Sequence, residues 1–210
     1  MSLALFLVSV IFISLSGVLM PGPITAITIA KGSKNAVAGA LVSLGHGVVE
    51  FPLIALIYFG LGAVFQIFWV KFGIGILGGG VLVWMAVDML KRYRSVEIEL
   101  KEREMGSILA GILLSAGNPY FLIWWATVGA RLVLSAMKWG LLGLVLLVLV
   151  HWFCDLFWYQ FLSWLSFQGG RFFGKSLQMG VFIICGLAML YFGLWFLADA
   201  GLSLFWSWGA

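Results

Sequence analysis

Two histidine–carboxylate pairs stand inside long apolar stretches of the sequence. Glu50 follows His46 by four residues, and Asp155 follows His151 by the same interval. On an α-helix this spacing places two side chains one turn apart on the same face. An imidazole and a carboxylate so placed can share a proton or hold a cation. Because an ionisable side chain facing hydrocarbon is costly, we expect these residues to face a protein interior or a cavity.

Two interpretations of these pairs stay open. In the first, they form one central polar site in which Glu50 and Asp155 accept protons or cations. In the second, each histidine donates a hydrogen bond to its own carboxylate, and the pair only neutralises a contact between helices. Small residues on the face of the first pair would let another helix or a substrate approach closely; they are Gly39, Ser43 and Gly47.

Two proline motifs interrupt stretches that would otherwise form continuous helices. They are Pro21-Gly22-Pro23 and Asn118-Pro119. Proline lacks a backbone N–H and its ring clashes with the carbonyl one turn earlier, so both motifs leave backbone polar groups without helical partners. In a bilayer such groups need cover from protein or from a watery cavity, and paired broken helices typically mark a transport site. We therefore predict that the two breaks approach each other around a polar cavity.

The composition indicates an integral membrane protein. Hydrophobic residues make up 63% of the 210 residues and charged residues only 10%, which is more apolar surface than a soluble domain of this size could bury. The formal net charge of +4 comes from loops, and no basic face indicates nucleic-acid binding. Cys154 and Cys185 lie in apolar stretches, so we expect neither a disulfide nor a metal site from them.

The apolar stretches predict six helical spans, at roughly 20 residues per crossing. We place them near residues 3–30, 36–66, 70–90, 106–133, 138–167 and 176–200. The first three form one half of the chain, residues 1–90, and the last three form the other, residues 106–210. A charged cytoplasmic linker at 91–105 joins the halves. The predicted fold is an all-α membrane protein in which helices 1 and 4 are broken at the proline motifs.

The two halves repeat one pattern. Residues 75–88 and 186–199 hold glycine, tryptophan and aspartate at identical spacing. The histidine–carboxylate pairs occupy matching spans, and so do the proline breaks. Because each half has an odd number of spans, the halves would lie in opposite orientations, an arrangement that supports alternating access. Coincidence in an apolar sequence is the competing explanation, and three matches in the same order argue against it.

Lysine and arginine predict the orientation of the chain. Nine of them fall on one side of the predicted spans and three on the other. The larger set is Lys31, Lys34, Lys91, Arg92, Arg94, Lys101, Arg103, Arg171 and Lys175, and the smaller set is Lys71, Arg131 and Lys138. Since basic loops remain in the cytoplasm, we expect both termini outside.

The chain resembles the LysE/RhtB family of amino-acid exporters over nearly its whole length. The features that carry the resemblance are Pro21-Gly22-Pro23, a glycine-rich second span, Asn118-Pro119, and an acid followed by aromatic residues at 155–159. The resemblance implies six spans in two three-helix repeats and outward movement of an amino acid or derivative. His46 and Glu50 are not a general signature of these exporters, so the resemblance leaves the substrate open.

We predict a multi-pass secondary transporter of the prokaryotic plasma membrane that exports a small solute in a cycle coupled to protons. Its partners would be that solute and the lipid bilayer, with self-association left open, and no cofactor, resident metal or catalytic residue is expected. Amides at a half-helix N-terminus suit a substrate carboxylate, and acids suit its ammonium. The residues expected to bind substrate or carry the coupling are Pro21, Gly22, Pro23, His46, Glu50, Asn118, Pro119, His151 and Asp155.

Other functions use the same residues. The related superfamily also includes divalent-metal exporters, and two histidines with two carboxylates would suit a metal ion. An intramembrane metalloenzyme could use the same four residues, although the sequence has no HExxH-like motif or activated nucleophile. A purely structural subunit would tolerate Glu50→Gln and Asp155→Asn without functional loss.

Overall fold

The computed structural model describes residues 2–61, 64, 67–92, 105–169 and 174–208. Within these ranges the backbone is built of helices and contains no strand. The predicted all-α class is therefore confirmed. The predicted linker at 91–105 lies almost wholly outside the described residues.

The first apolar stretch is broken at its proline motif. Helix α1 covers Leu3–Val18 and α2 covers Pro23–Gly32, with a bend of 82° between them. Gly22 precedes α2 in an extended conformation and supplies no side-chain cap. Pro23 takes the first helical position, where an N–H would have no helical partner in any case. The remaining amides of the first turn of α2 are consequently left without partners inside the helix.

The second proline motif also begins a new helix. Four segments follow one another here: helix α5 (Ser107–Ala116), helix α6 (Pro119–Trp124), a π-helical turn (Trp125–Gly129) and helix α7 (Ala130–Ala136). Asn118 caps α6, because its Oδ1 accepts a hydrogen bond from the N–H of Tyr120 at 3.1 Å. The π-helical turn rotates the side chains that follow the break, and such turns are frequent at functional sites.

Two long helices carry the histidine–carboxylate pairs. Helix α3 covers Ala38–Leu56, and α8 covers Gly140–Gly169. Gly140 has φ +57°, a left-handed conformation that glycine adopts without strain. Helix α8 packs back against α7 after this turn, so closely that a Cβ on Gly143 would collide with the carbonyl of Ala136.

Helix α3 packs against α5 on one side and α8 on another. A Cβ on Gly45 would collide with the carbonyl of Ile108, and one on Gly111 would collide with that of Val42. Glycine at both positions therefore lets the backbones of α3 and α5 touch. This contact brings His46 within reach of side chains on α5.

The remaining long helices, α4 and α9, pack along each other. They cover Phe68–Arg92 and Gly174–Trp208. A Cβ on Gly79 would lie 2.8 Å from the carbonyl oxygen of Gly193, and a Cβ on Gly193 would lie 2.9 Å from that of Gly79. Any larger residue at either position would force the two backbones apart.

Four described stretches are long and apolar enough to cross a membrane. They are Ala38–Gly60, Phe68–Asp88, Pro119–Gly169 and Ile183–Ser203, and the bent pair α1 and α2 makes a fifth if it counts as one span. Pro119–Gly169 has 51 residues and contains the turn at Gly140, whereas α5 has only ten. The six crossings and their inverted repeat stay a prediction.

Candidate functional site

The two histidine–carboxylate pairs meet in one buried cluster between α3 and α8. All four side chains are almost fully buried, and Glu50 is 0% exposed. Its Oε1 atom lies 3.2 Å from Nε2 of His46 and 3.0 Å from Nε2 of His151. His151 therefore approaches the carboxylate on the other helix more closely than its own partner Asp155, which lies 3.5 Å away. His46 keeps its own carboxylate as a partner, so helix packing joins the two pairs in one cluster through Glu50.

Two buried serines complete the cluster. His46 Nδ1 lies 2.7 Å from Ser115 Oγ on α5, and His151 Nδ1 lies 2.7 Å from Ser14 Oγ on α1. Each serine belongs to the helix that precedes a proline break. Each histidine is thus held by a carboxylate at one nitrogen and by a hydroxyl at the other. The sequence did not single out these serines, because a serine in an apolar helix gives no sign of its neighbour.

The two acids have different surroundings. Oε1 of Glu50 accepts a further hydrogen bond from Nε1 of Trp125 at 3.3 Å. By contrast, Asp155 approaches the histidines only at ion-pair distances, with Oδ1 3.9 Å from His46 Nε2, and its Oδ2 has no hydrogen-bond partner. The second oxygen of Glu50 is also unpartnered. Glu50 therefore holds the cluster together through hydrogen bonds, whereas Asp155 contributes only longer ion-pair contacts.

A cavity of about 50 Å³ lies between the two proline breaks. Both motifs contribute to its lining through Pro21, Gly22, Pro23 and Asn118. The ionisable residues of the lining are Asp155, His46 and two tyrosines. Aromatic and apolar side chains form much of the rest; they include Leu82, Tyr120, Phe121, Trp124, Tyr159, Met189 and Phe192. A water molecule needs roughly 10–15 Å³ by this kind of measure, so the cavity holds a few waters or a very small solute.

Not every predicted site residue reaches this cavity. Glu50, His151 and Pro119 are absent from its lining. Two tryptophans cover the inner part of the cluster: the ring of Trp124 stacks on His151 at 5.3 Å between centroids, and Trp125 bonds to Glu50. Of the two acids predicted to face the cavity, the structure places Asp155 there and Glu50 beneath the tryptophans.

Trp125, whose indole reaches Glu50, lies at the start of the π-helical turn. Trp125 is the first residue of that turn and is 1% exposed. Gly129 lies directly against its indole, and a Cβ at this position would collide with the ring. Glycine at position 129 therefore leaves room for the indole that donates a hydrogen bond to Glu50.

Comparison with known proteins agrees with this architecture. Residues 15–200 match the family model of LysE type translocators. The chain belongs to this family. No curated protein and no solved structure matches it. The match confirms the resemblance that the proline motifs indicated, and together with the long apolar helices it makes the chain a multi-pass membrane exporter of small solutes.

The cluster of this LysE type translocator can hold a positive charge. Donor atoms of His46, Glu50 and Asp155 lie within 4.8 Å of one another. An ionised carboxylate that is shielded from water is stabilised by a nearby cation or proton donor. Buried acids in this arrangement are therefore suited to a proton or a small cation.

Proposed function

We propose that the protein exports a small zwitterionic solute, an amino acid or a derivative, across a prokaryotic plasma membrane in a cycle coupled to protons. The observation that carries the proposal is a buried acid, Asp155, that lines a cavity between two broken helices and approaches the histidines only at ion-pair distances. A carboxylate in this position lacks the partner that burial demands. A substrate ammonium would supply it.

The start of α2 would receive the other end of a zwitterion. Gly22, Ile24 and Thr25 line the cavity, and the first hydrogen bond of α2 runs from Ala26 N to Gly22 O. The amides of Ile24 and Thr25 precede that bond, so they have no carbonyl acceptor within the helix. Helix N-termini carry partial positive charge and bind carboxylates.

Coupling would use the cluster beneath the cavity. His46 belongs to both, since it lines the cavity and contacts Glu50. A substrate ammonium arriving at Asp155 would therefore raise the positive potential around His46 and favour release of a proton from the cluster. Such mutual exclusion of proton and substrate is the basis of exchange.

The small volume of the cavity supports a conformation that does not yet hold substrate. Its volume of about 50 Å³ is smaller than a typical pocket for a bound metabolite, so the lining must separate for substrate to enter or leave. Movement of the two predicted three-helix halves against each other, with both termini outside, would open each side in turn.

The test is transport by purified protein in proteoliposomes. Vesicles would be preloaded with labelled amino acids, one at a time, and efflux measured with and without an imposed pH gradient between about pH 5 and 8. We expect efflux of at least one amino acid that responds to the gradient, and loss of that response in the double variant Glu50→Gln, Asp155→Asn. Asp199→Asn is the matched control, because this exposed aspartate lies outside the cavity and the cluster.

Two results would overturn the proposal. Unchanged, still pH-dependent efflux by the double variant would show that the acids are structural. Efflux of divalent metal ions with no efflux of any amino acid would favour metal export, the second candidate, which is supported by the proximity of donor atoms from His46, Glu50 and Asp155.

A further inference from the structure

The hydroxyl of Ser115 fixes which nitrogen of His46 donates a hydrogen bond. Its Oγ lies 2.5 Å from the carbonyl oxygen of Gly111 and 2.7 Å from Nδ1 of His46. A hydroxyl has a single proton, and a carbonyl can only accept. The Ser115 proton is therefore used by Gly111. The contact with His46 then requires a proton on Nδ1, which donates to the serine oxygen.

The proton on Nδ1 determines the state of Nε2 in a neutral His46 ring. A neutral imidazole has one N–H, and in His46 it is taken by Nδ1. Nε2 would then be a lone pair directed at Oε1 of Glu50, 3.2 Å away. Two buried acceptors at hydrogen-bond distance repel each other, and Nε2 would be left without a donor. A second proton between Nε2 and Oε1 removes the conflict.

That proton belongs to the histidine side of the contact. Oε1 of Glu50 also receives the indole N–H of Trp125, which can only donate. The same oxygen lies 3.0 Å from Nε2 of His151. An oxygen that accepts from several donors is not a hydroxyl, so the proton is not on Oε1. A cationic ring buried beside the carboxyl group then keeps that group ionised.

We propose that His46 is an imidazolium paired with ionised Glu50, that His151 is neutral with its proton on Nε2, and that Ser115 is the positioning residue for this state. His151 differs because Ser14 is free to donate its hydroxyl proton to Nδ1: unlike Ser115, it has no second contact that claims that proton among the hydrogen bonds of the described residues. Both rings then satisfy the same carboxylate oxygen.

The surroundings of His46 agree with a single added charge. The titratable groups that face it are Glu50 on its own helix and Asp155, His151 and Tyr159 on α8. Helix α6 contributes the apolar edge of Phe121, with 5.1 Å between ring centroids. Once His46 is paired with Glu50, Asp155 is the acid left for another cation. These different roles of Glu50 and Asp155 extend the proposed function, and their part in transport rests on that proposal.

The chain has just two histidines, so nitrogen-15 NMR of histidine-labelled protein reports on both rings directly. Protein purified in nanodiscs through a tag without histidine would give two ring signals, assigned with His46→Gln and His151→Gln. At about pH 7.5 an ordinary exposed histidine is mostly neutral. We expect two protonated nitrogens in His46 and one, Nε2, in His151. A wild-type His46 ring with one protonated nitrogen would overturn the proposal.

Variants test the role of Ser115 separately. Ser115→Ala removes the acceptor at Nδ1, so His46 should become neutral with Nε2–H directed at Glu50, whereas Ser115→Thr keeps a hydroxyl and should keep the doubly protonated ring. Ser14→Ala is the matched control, because it deletes the equivalent hydroxyl at His151 and should leave the His46 signals in place. A doubly protonated His46 in Ser115→Ala would remove Ser115 from the proposal. If Ser115→Ala does not fold, the spectra of the wild-type protein and of Ser115→Thr still show whether His46 is doubly protonated.

The spectra do not depend on transport. A doubly protonated His46 in a protein that moves no amino acid would leave this assignment intact and refute the proposed function alone. Amino-acid efflux by a protein whose His46 is singly protonated would refute this assignment and leave the proposed function intact.

Discussion

Replacing Asp155 by asparagine should weaken substrate binding while leaving the fold nearly as stable as before. The substitution keeps the volume of the side chain and removes its charge. Oδ2 of Asp155 accepts no hydrogen bond in the structure, so no internal hydrogen bond is lost there. What is lost is the charge that, under the proposed function, attracts a substrate ammonium.

The size of the effect follows from the type of contact. A hydrogen bond to a charged group contributes about 1.5–3 kcal/mol. Since each 1.4 kcal/mol changes an equilibrium constant tenfold, the affinity for substrate should fall by roughly 10- to 150-fold. The melting temperature should move by no more than about 2–4 °C, the shift expected from a change near 1 kcal/mol in a protein of this size.

Both quantities can be measured on the same preparation. Concentration-dependent efflux from proteoliposomes gives the apparent affinity, and fluorescence-monitored unfolding in detergent gives the melting temperature. A variant that transports with wild-type affinity would refute the assignment of Asp155 as the ammonium site. A variant that loses affinity only together with a large loss of melting temperature would show that Asp155 acts through the fold.

Three further predictions follow from the packing and the sequence. Glu50→Gln should destabilise the protein by about 3–5 kcal/mol, because it leaves a buried charge network without its anion; thermal unfolding measures this, and a change below about 1 kcal/mol would contradict it. Gly193→Ala should cost roughly 1–3 kcal/mol by pushing α4 and α9 apart, whereas Gly201→Ala, where a Cβ would meet nothing within 4 Å, should be neutral or stabilising. A single cysteine in place of Ser2 should be labelled by an impermeant reagent applied outside, whereas one in place of Ile98 should be protected from that reagent. The opposite pattern would show that the predicted orientation is wrong.

The sequence was sufficient to find the titratable residues and the breaks, because both signals are local. A four-residue spacing reports which side chains share a helical face, and proline reports where backbone bonding must stop. His46, Glu50, His151 and Asp155 accordingly gather in one cluster. Pro23 and Pro119 each begin a new helix.

The pairing within the cluster could not be predicted, because it depends on contacts between helices. Spacing along α8 links His151 to Asp155, whereas packing brings it closer to Glu50. Ser14 and Ser115 gave no signal for the same reason. The hydrogen bond from Trp125 to Glu50 joins residues 75 positions apart in the sequence, so no local pattern predicts it.

The convergence of contacts on one oxygen of Glu50 has a consequence for any movement of α8 relative to α3. Side chains from α3, from α8 and from the π-helical turn all reach this atom. If the proposed cycle moved α8 away from α3, His151 would lose its carboxylate acceptor, whereas His46 and Trp125 would keep theirs. Donors that share one acceptor weaken one another, so the two remaining hydrogen bonds would become stronger and offset part of the loss. Glu50 would then stay paired during such a movement and would not become an unpartnered buried charge.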